Sequence, residues 1–157
     1  MRVLFSISLL VLVACSSAQS GEKTSDAYIA DLGSPDPALQ IEACKKLGAR
    51  RVENAVPKIG ALLSASGDAD VQTAAAASLG EIAEPRATGV LLKRLQAAAA
   101  PQVQYAVLAA LGNMQMVFGN ARNKDAVVAA VTKAKAESKD PMLQDLADRV
   151  IQIYEKK

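Results

Sequence analysis

A segment that returns every 32 residues leaves a chain few ways to fold. Gln40 to Gly48 reads QIEACKKLG, Gln72 to Gly80 reads QTAAAASLG and Gln104 to Gly112 reads QYAVLAALG. The offset between successive copies is 32 residues. A fourth copy, QDLADRVIQ from Gln144, comes 40 residues after the third; it keeps the apolar spacing and loses the Leu-Gly ending, as a terminal repeat does. A period of this length marks a stacked array, in which each unit buries its apolar face only against its neighbours.

Each copy reads as a helix. Asp36, Asp68, Ala100 and Asp140 share one column, and Pro37, Ala69, Pro101 and Pro141 the next. An aspartate carboxylate accepts the first free N–H groups of a helix, worth about 1 kcal/mol, and proline is pre-organised for the first helical position. Behind that start, Leu39/Ala43/Leu47, Val71/Ala75/Leu79, Val103/Val107/Leu111 and Leu143/Ala147/Ile151 recur at i, i+4, i+8, one apolar stripe per copy. Gly48, Gly80 and Gly112 fall where a left-handed residue would end the helix. A second apolar pattern follows each glycine: NAVPKIGALL from Asn54, RATGVLLKRL from Arg86 and DAVVAAVTKA from Asp125. Ala55 and Ala87, Ile59 and Leu91, Leu63 and Leu95 are again 32 apart, so the unit is helix, turn, helix. The many alanines suit it, since alanine is the best helix former and lets helices approach closely.

The stretch DADVQTAAAASLGEIAEPRATGVLLKRL, Asp68 to Leu95, resembles the HEAT-like repeat of the phycobilisome-lyase type, and the resemblance extends from about Ser34 to Tyr154. It implies an all-α fold, a right-handed α-solenoid of about three and a half HEAT-like units over residues 24–157, with a helix near Ser25 to Leu32 capping the N-terminal end. Two departures stand out. The arginine usual in the family is glutamine here, at Gln40, Gln72, Gln104 and Gln144, and these side chains are expected to bridge neighbouring units or, alternatively, to line a ligand surface. The third unit carries an insertion around QMVFGNARNK, Gln115 to Lys124.

The N-terminus reads as a leader: Met1-Arg2, an apolar run from Val3 to Ala14, then small polar residues. The run is shorter than the roughly 20 apolar residues that span a bilayer. Leu12-Val13-Ala14-Cys15 resembles the lipobox of bacterial lipoproteins. That resemblance implies a signal peptide over 1–14, lipidation of Cys15, a tether over 15–23, and an address in the bacterial cell envelope. Ser16 rather than Asp after the cysteine implies the outer membrane, by the enterobacterial rule. Ordinary secretion with cleavage after Ala18 is the alternative.

Relatives of this repeat include bilin lyases and a di-iron hydroxylase that uses paired His-Glu motifs. The sequence holds no histidine, which removes that ligand set and the commonest general base and zinc ligand. With Cys15 lipidated, Cys44 is the one free thiol, and its column with Ala76 and Leu108 reads as core. Glu81 and Glu84 lie after Gly80, where solvated turn acids are ordinary. A formal charge of +2 and 3% aromatic residues disfavour nucleic acid as a partner. No cofactor is expected.

Basic residues gather in the second-helix segments and acids ahead of and within the first helices, Asp36, Glu42, Asp68, Asp70, Asp140, Asp145 and Asp148 among them. In solenoids of this kind the second helices line the concave side. The candidate binding surface is therefore Lys58, Lys93, Arg94, Arg122, Lys124 and Lys133, with Phe118 of the insertion as an apolar anchor or, alternatively, a core cap. The expected function is a non-catalytic, protein- or peptide-binding scaffold lipoprotein, tied to the membrane by its lipid. The alternatives are a cofactor-handling or lyase-type enzyme, by family analogy, and a purely structural surface lipoprotein. Replacing Cys15 with Ala should abolish metabolic lipid labelling of the chain; labelling and membrane retention that persist in the variant would overturn the lipoprotein reading.

Overall fold

The computed structural model describes residues 22–97, 100–119 and 123–156. Among them eight α-helices follow one another: α1 Ser25–Asp31, α2 Pro37–Ala49, α3 Val56–Ala65, α4 Ala69–Ile82, α5 Thr88–Gln96, α6 Pro101–Phe118, α7 Lys124–Glu137 and α8 Pro141–Glu155. Single 3-10 turns, Glu53–Ala55 and Pro85–Ala87, lead into α3 and α5, and no strand occurs among the described residues. The first helices α2, α4, α6 and α8 pack side by side in one layer, and α3, α5 and α7 form the other. The chain is an α-solenoid of three helix pairs, closed by α1 at one end and the lone α8 at the other.

The linker before a first helix is a small hydrogen-bonded device. Asp36, Asp68 and Asp140 cap their helices as their column predicts: Asp36 Oδ1 accepts from Ala38 N at 2.9 Å, Asp68 Oδ1 from Asp70 N at 2.8 Å, and Asp140 Oδ1 from Met142 N at 2.9 Å. Two residues earlier, Ser34, Ser66 and Ser138 each accept, through Oγ, the N–H of the capping aspartate at 3.1 Å. The glutamine column closes the loop. Gln40 Nε2 donates to the Ser34 carbonyl at 2.7 Å, Gln144 Nε2 to the Ser138 carbonyl at 2.7 Å, and Gln72 Nε2 to that of Ser66. These glutamines thus staple the linker six residues behind them, instead of bridging the bodies of adjacent units or lining a ligand surface. In the third unit Ala100 stands in the aspartate column, and α6 has no side-chain cap.

The glycine column has a different role from the one its position suggests. Gly48, Gly80 and Gly112 lie inside α2, α4 and α6; the left-handed residues come later, at Arg51 (φ 51°), Ala83 (φ 57°) and Gly119 (φ 62°). Arg51 sits in a Schellman turn, in which Val52 N–H reaches the Leu47 carbonyl at 3.1 Å and Arg51 N–H the Gly48 carbonyl at 2.9 Å. The glycines instead mark where one first helix crosses the next. A Cβ on Gly80 would lie 2.6 Å from Ala110 Cα, and one on Gly48 would lie 3.0 Å from Ser78 Cα. On Gly112 it would meet Val150 Cγ2 at 3.4 Å, ordinary contact. Ser78, Ala110 and Val150 form one column, each two residues before the glycine position of its own copy.

The expected stripes form the core. Leu47, Ile59, Leu63, Leu79, Leu91, Val103, Val107 and Leu111 are all fully buried. Two members differ from expectation. Leu39 is half-buried, and in α8 Val150 faces inward in place of Ile151, together with Tyr154, whose hydroxyl donates to the Leu111 carbonyl at 2.9 Å. The eight extra residues of the third unit are spent chiefly on helix. α6 has 18 residues against 14 in α4, and α7 has 14 against 9 in α5, about one added turn each. The left-handed cap accordingly shifts from the place equivalent to Ala83 to Gly119.

An L-residue held at positive φ is strained, and Arg51 is exposed, so it has little packing to lose. Arg51→Gly should raise stability by about 0.5–1 kcal/mol, read as an increase in the urea midpoint, whereas Leu79→Ala should cost about 2–5 kcal/mol.

Candidate functional site

The two helix layers present different surfaces. In the first-helix layer, backbones meet at the glycine crossings. In the second-helix layer, the helices stand apart and grooves run between them. Between α1 and α3 a depression of about 310 Å³ is floored by Ile29, Leu32, Ala61 and Leu62, with Lys58 at its edge. Along the α3/α5 seam, about 420 Å³ lies open over Val56, Gly60, Ala61 and Val90, with Arg86 at one end. The seam continues past Ser64 to Lys93 and Arg94 at the other end. Among the described residues, no carboxylate lines any of the three.

Local sequence explains the opening. The α3 residues along the seam are small: Gly60, Ala61 and Ser64, with Ser64 Oγ folded back to donate to the Gly60 carbonyl at 2.9 Å. A Cβ at Gly60 would touch Val90 Cγ1 at 3.4 Å, so glycine there keeps the seam deep and Val90 forms its far wall.

The predicted basic residues fall into three groups. Lys58 and Lys93 are exposed at groove edges. Arg94 is half-buried and partly committed: a terminal nitrogen donates to Gln72 Oε1, and Nε is buried without a partner among the described residues. Lys124 and Lys133 are exposed on α7, Lys133 facing Glu137 at 3.7 Å, one unit away from the seam. Cys15 and Arg122 lie outside the described residues, as does the side chain of Phe118. Its neighbours Met116 and Val117 are 64% and 41% exposed. Of the residues that shape the seam, Gly60 and Ala61 carry no sequence signal beyond small size and Val90 none beyond its apolar side chain.

The predicted acids are largely spent on structure. Asp36, Asp68 and Asp140 cap helices, and Asp148 pairs with Lys135 at 2.6 Å. Asp140 also accepts the Tyr105 hydroxyl at 2.7 Å, which holds its carboxyl below the usual range. Glu84 accepts from Arg86 N at 3.0 Å and pairs with Arg86 Nε at 2.8 Å, while Glu81 points back over Gly48, so the two do not face each other. On the first-helix side a groove of about 510 Å³ is lined by Ile41, Ala77 and Ser78, but its rim mixes Lys45 with Asp70 and Glu81.

Cys44 is fully buried, and desolvation pushes its thiol up to about 12. A thiol that far above neutrality is not a nucleophile. In a Cys15→Ser chain, Cys44 should therefore resist maleimide at about pH 7.5 and react fully only in denaturant, as mass spectrometry would read. No cluster of His, Cys, Asp and Glu able to hold a metal occurs among the described residues, and no described helix is long and apolar enough to cross a membrane.

Residues 25–112 match the family model described as HEAT repeats, more than half of the chain. No curated protein matches the sequence. Among solved structures, the chain is similar to the complex of CpcE and CpcF of phycocyanin lyase from Nostoc sp. PCC7120, with 22% identity, a TM-score of 0.48, and coverage of 89% of this chain and 68% of that one. The repeated helix pairs, their recurrent crossings and the matched span agree on one conclusion: the chain belongs to the HEAT-repeat family.

Proposed function

We propose that this protein is a non-catalytic scaffold lipoprotein of the bacterial cell envelope, most naturally of the outer membrane, which holds a protein or peptide partner against its second-helix face. One observation carries the reading: apolar grooves flank α3 on both sides, with Lys58, Arg86, Lys93 and Arg94 at their edges and no carboxylate among the described residues that line them. Such a grooved surface edged mainly by cations suits recognition of another chain, because cations beside a low-dielectric floor focus the field on an incoming anion. The inert Cys44 thiol and the structural use of Glu84 and Asp140 favour binding over chemistry. The envelope address rests on the Leu12-Val13-Ala14-Cys15 sequence alone.

A photo-crosslinking residue at Ala61, in the second-helix layer, compared with one at Ala77, in the first-helix layer, tests this in native cells. The expected result is a discrete protein adduct from Ala61 and none from Ala77. Absence of any adduct at Ala61, or equal labelling from both positions, contradicts the reading.

A further inference from the structure

The α3/α5 seam has a polarity of its own. Its middle is apolar, formed by Gly60 and Ala61 on one side and Val90 on the other, and each end is cationic, with Arg86 at one and Lys93 with Arg94 at the other. Arg86 gives its Nε to Glu84 yet keeps a side chain 62% exposed. Lys93 is exposed and Arg94 supplies a second, half-buried cation beside it. Arg86 stands in the 3-10 turn that leads into α5 and Lys93 in α5 itself, seven residues on, a rise of roughly 10–12 Å at about 1.5–2 Å per residue.

We infer that this seam takes an extended acidic–apolar–acidic peptide segment, with one aliphatic side chain seated between Ala61 and Val90 and a carboxylate reaching each cationic end. The inference rests on the scaffold reading and narrows it. The spacing of the two cationic ends is within reach of an extended segment. In an extended chain alternate residues share a face, so an acid, an aliphatic residue and a second acid at i, i+2 and i+4 face the seam together and span about 13 Å. The long arginine and lysine side chains carry their charges a few ångströms past their own backbone, which closes the gap to that span. Charge selects the sign, since no acid among the described residues lines the seam and an acidic segment meets Lys93 and Arg94 at one end and, at the other, Arg86, whose terminal nitrogens lie beyond the Nε it gives to Glu84.

An anionic membrane is the other surface that basic residues attract, and the face is poorly made for it. Membrane docking gains from large apolar side chains that insert, and the exposed ones among the described residues, Met116, Val117 and Met142, belong to α6 and α8. The outward residues of α3 are Pro57, Lys58, Ala61, Ser64 and Ala65.

The test uses the mature chain carrying Cys15→Ser and a fluorescein-labelled octapeptide with two glutamates four residues apart and a leucine midway between them. Its controls are the same peptide with lysine for glutamate, the same peptide with serine for leucine, and vesicles of phosphatidylglycerol in phosphatidylcholine. By fluorescence anisotropy the acidic peptide should bind at least about 10-fold more tightly than the lysine peptide, and the advantage should fade in about 0.5 M salt. The serine peptide should lose about 5-fold or more. Lys93→Glu and Ala61→Glu, both at exposed positions, should each weaken binding about 10-fold with an unchanged denaturation midpoint, whereas Lys45→Glu on the first-helix side should not. Equal binding of acidic and lysine peptides, or full binding by Lys93→Glu and Ala61→Glu, overturns the inference. Vesicle binding that Lys93→Glu abolishes, without peptide binding, overturns it in favour of a membrane surface. A protein adduct at Ala61 in cells, with no acidic-peptide binding, overturns the inference and leaves the scaffold reading standing; peptide binding with no adduct in cells supports the chemistry of the seam and counts against the scaffold reading.

Discussion

The structure depends on how closely one first helix can lie on the next. Interaxial distance follows the side chains at the contact, and dispersion falls off steeply with separation. At Gly80 there is no room for a methyl group, because Ala110 Cα occupies its place. The same pairing, two residues out of register between successive copies, recurs at Gly48 with Ser78 and at Gly112 with Val150. The extra residues of the third unit leave it intact: Gly112 still meets Val150 because the added turns fall beyond the crossing.

A layer drawn together at backbone contact leaves its companion layer with different packing. The second helices meet through side chains such as Val90, and the α3 residues along the seam are small, so grooves remain between them. The linkers that join units are held by Ser, Asp and Gln side chains, which satisfy backbone groups at the start of α2, α4 and α8. These contacts take up Asp36, Asp68 and Asp140. In the second layer Arg86, Arg94, Lys133 and Lys135 have partners, whereas Lys58 and Lys93, exposed at groove edges, contribute positive charge there.

Much of this was legible in the sequence because it is local. An aspartate before proline specifies a helix start within a few residues, and the apolar columns at Val71/Ala75/Leu79 and Ile59/Leu63 need only helical geometry to become core. The glycine column was legible as special but not in its role. Glycine serves both left-handed caps and close crossings, and only the neighbouring helix tells them apart. The caps fell on Arg51 and Ala83, residues whose chemistry gives no hint of positive φ. The repeat pattern places an insertion around Gln115 to Lys124 without dividing it between helix and turn, and α6 carries helix through Phe118 before Gly119 turns it. At the candidate site, Lys58 and Lys93 were foreseeable from charge, whereas the seam itself is an absence of side chain at Gly60 and Ala61, which no one-dimensional pattern records.

The central claim is that the glycine column exists for helix crossings of graded closeness. Measuring chemical denaturation of Gly48→Ala, Gly80→Ala and Gly112→Ala tests it directly. Overpacking at Gly80, where backbone blocks the new methyl, should cost about 1–3 kcal/mol. Gly48→Ala should cost less, since the Glu81 carboxylate can swing aside, and Gly112→Ala should be neutral or stabilising by up to about 1 kcal/mol through helix propensity. Equal costs at the three positions, or the largest at Gly112, would contradict the account and return the column to a capping role.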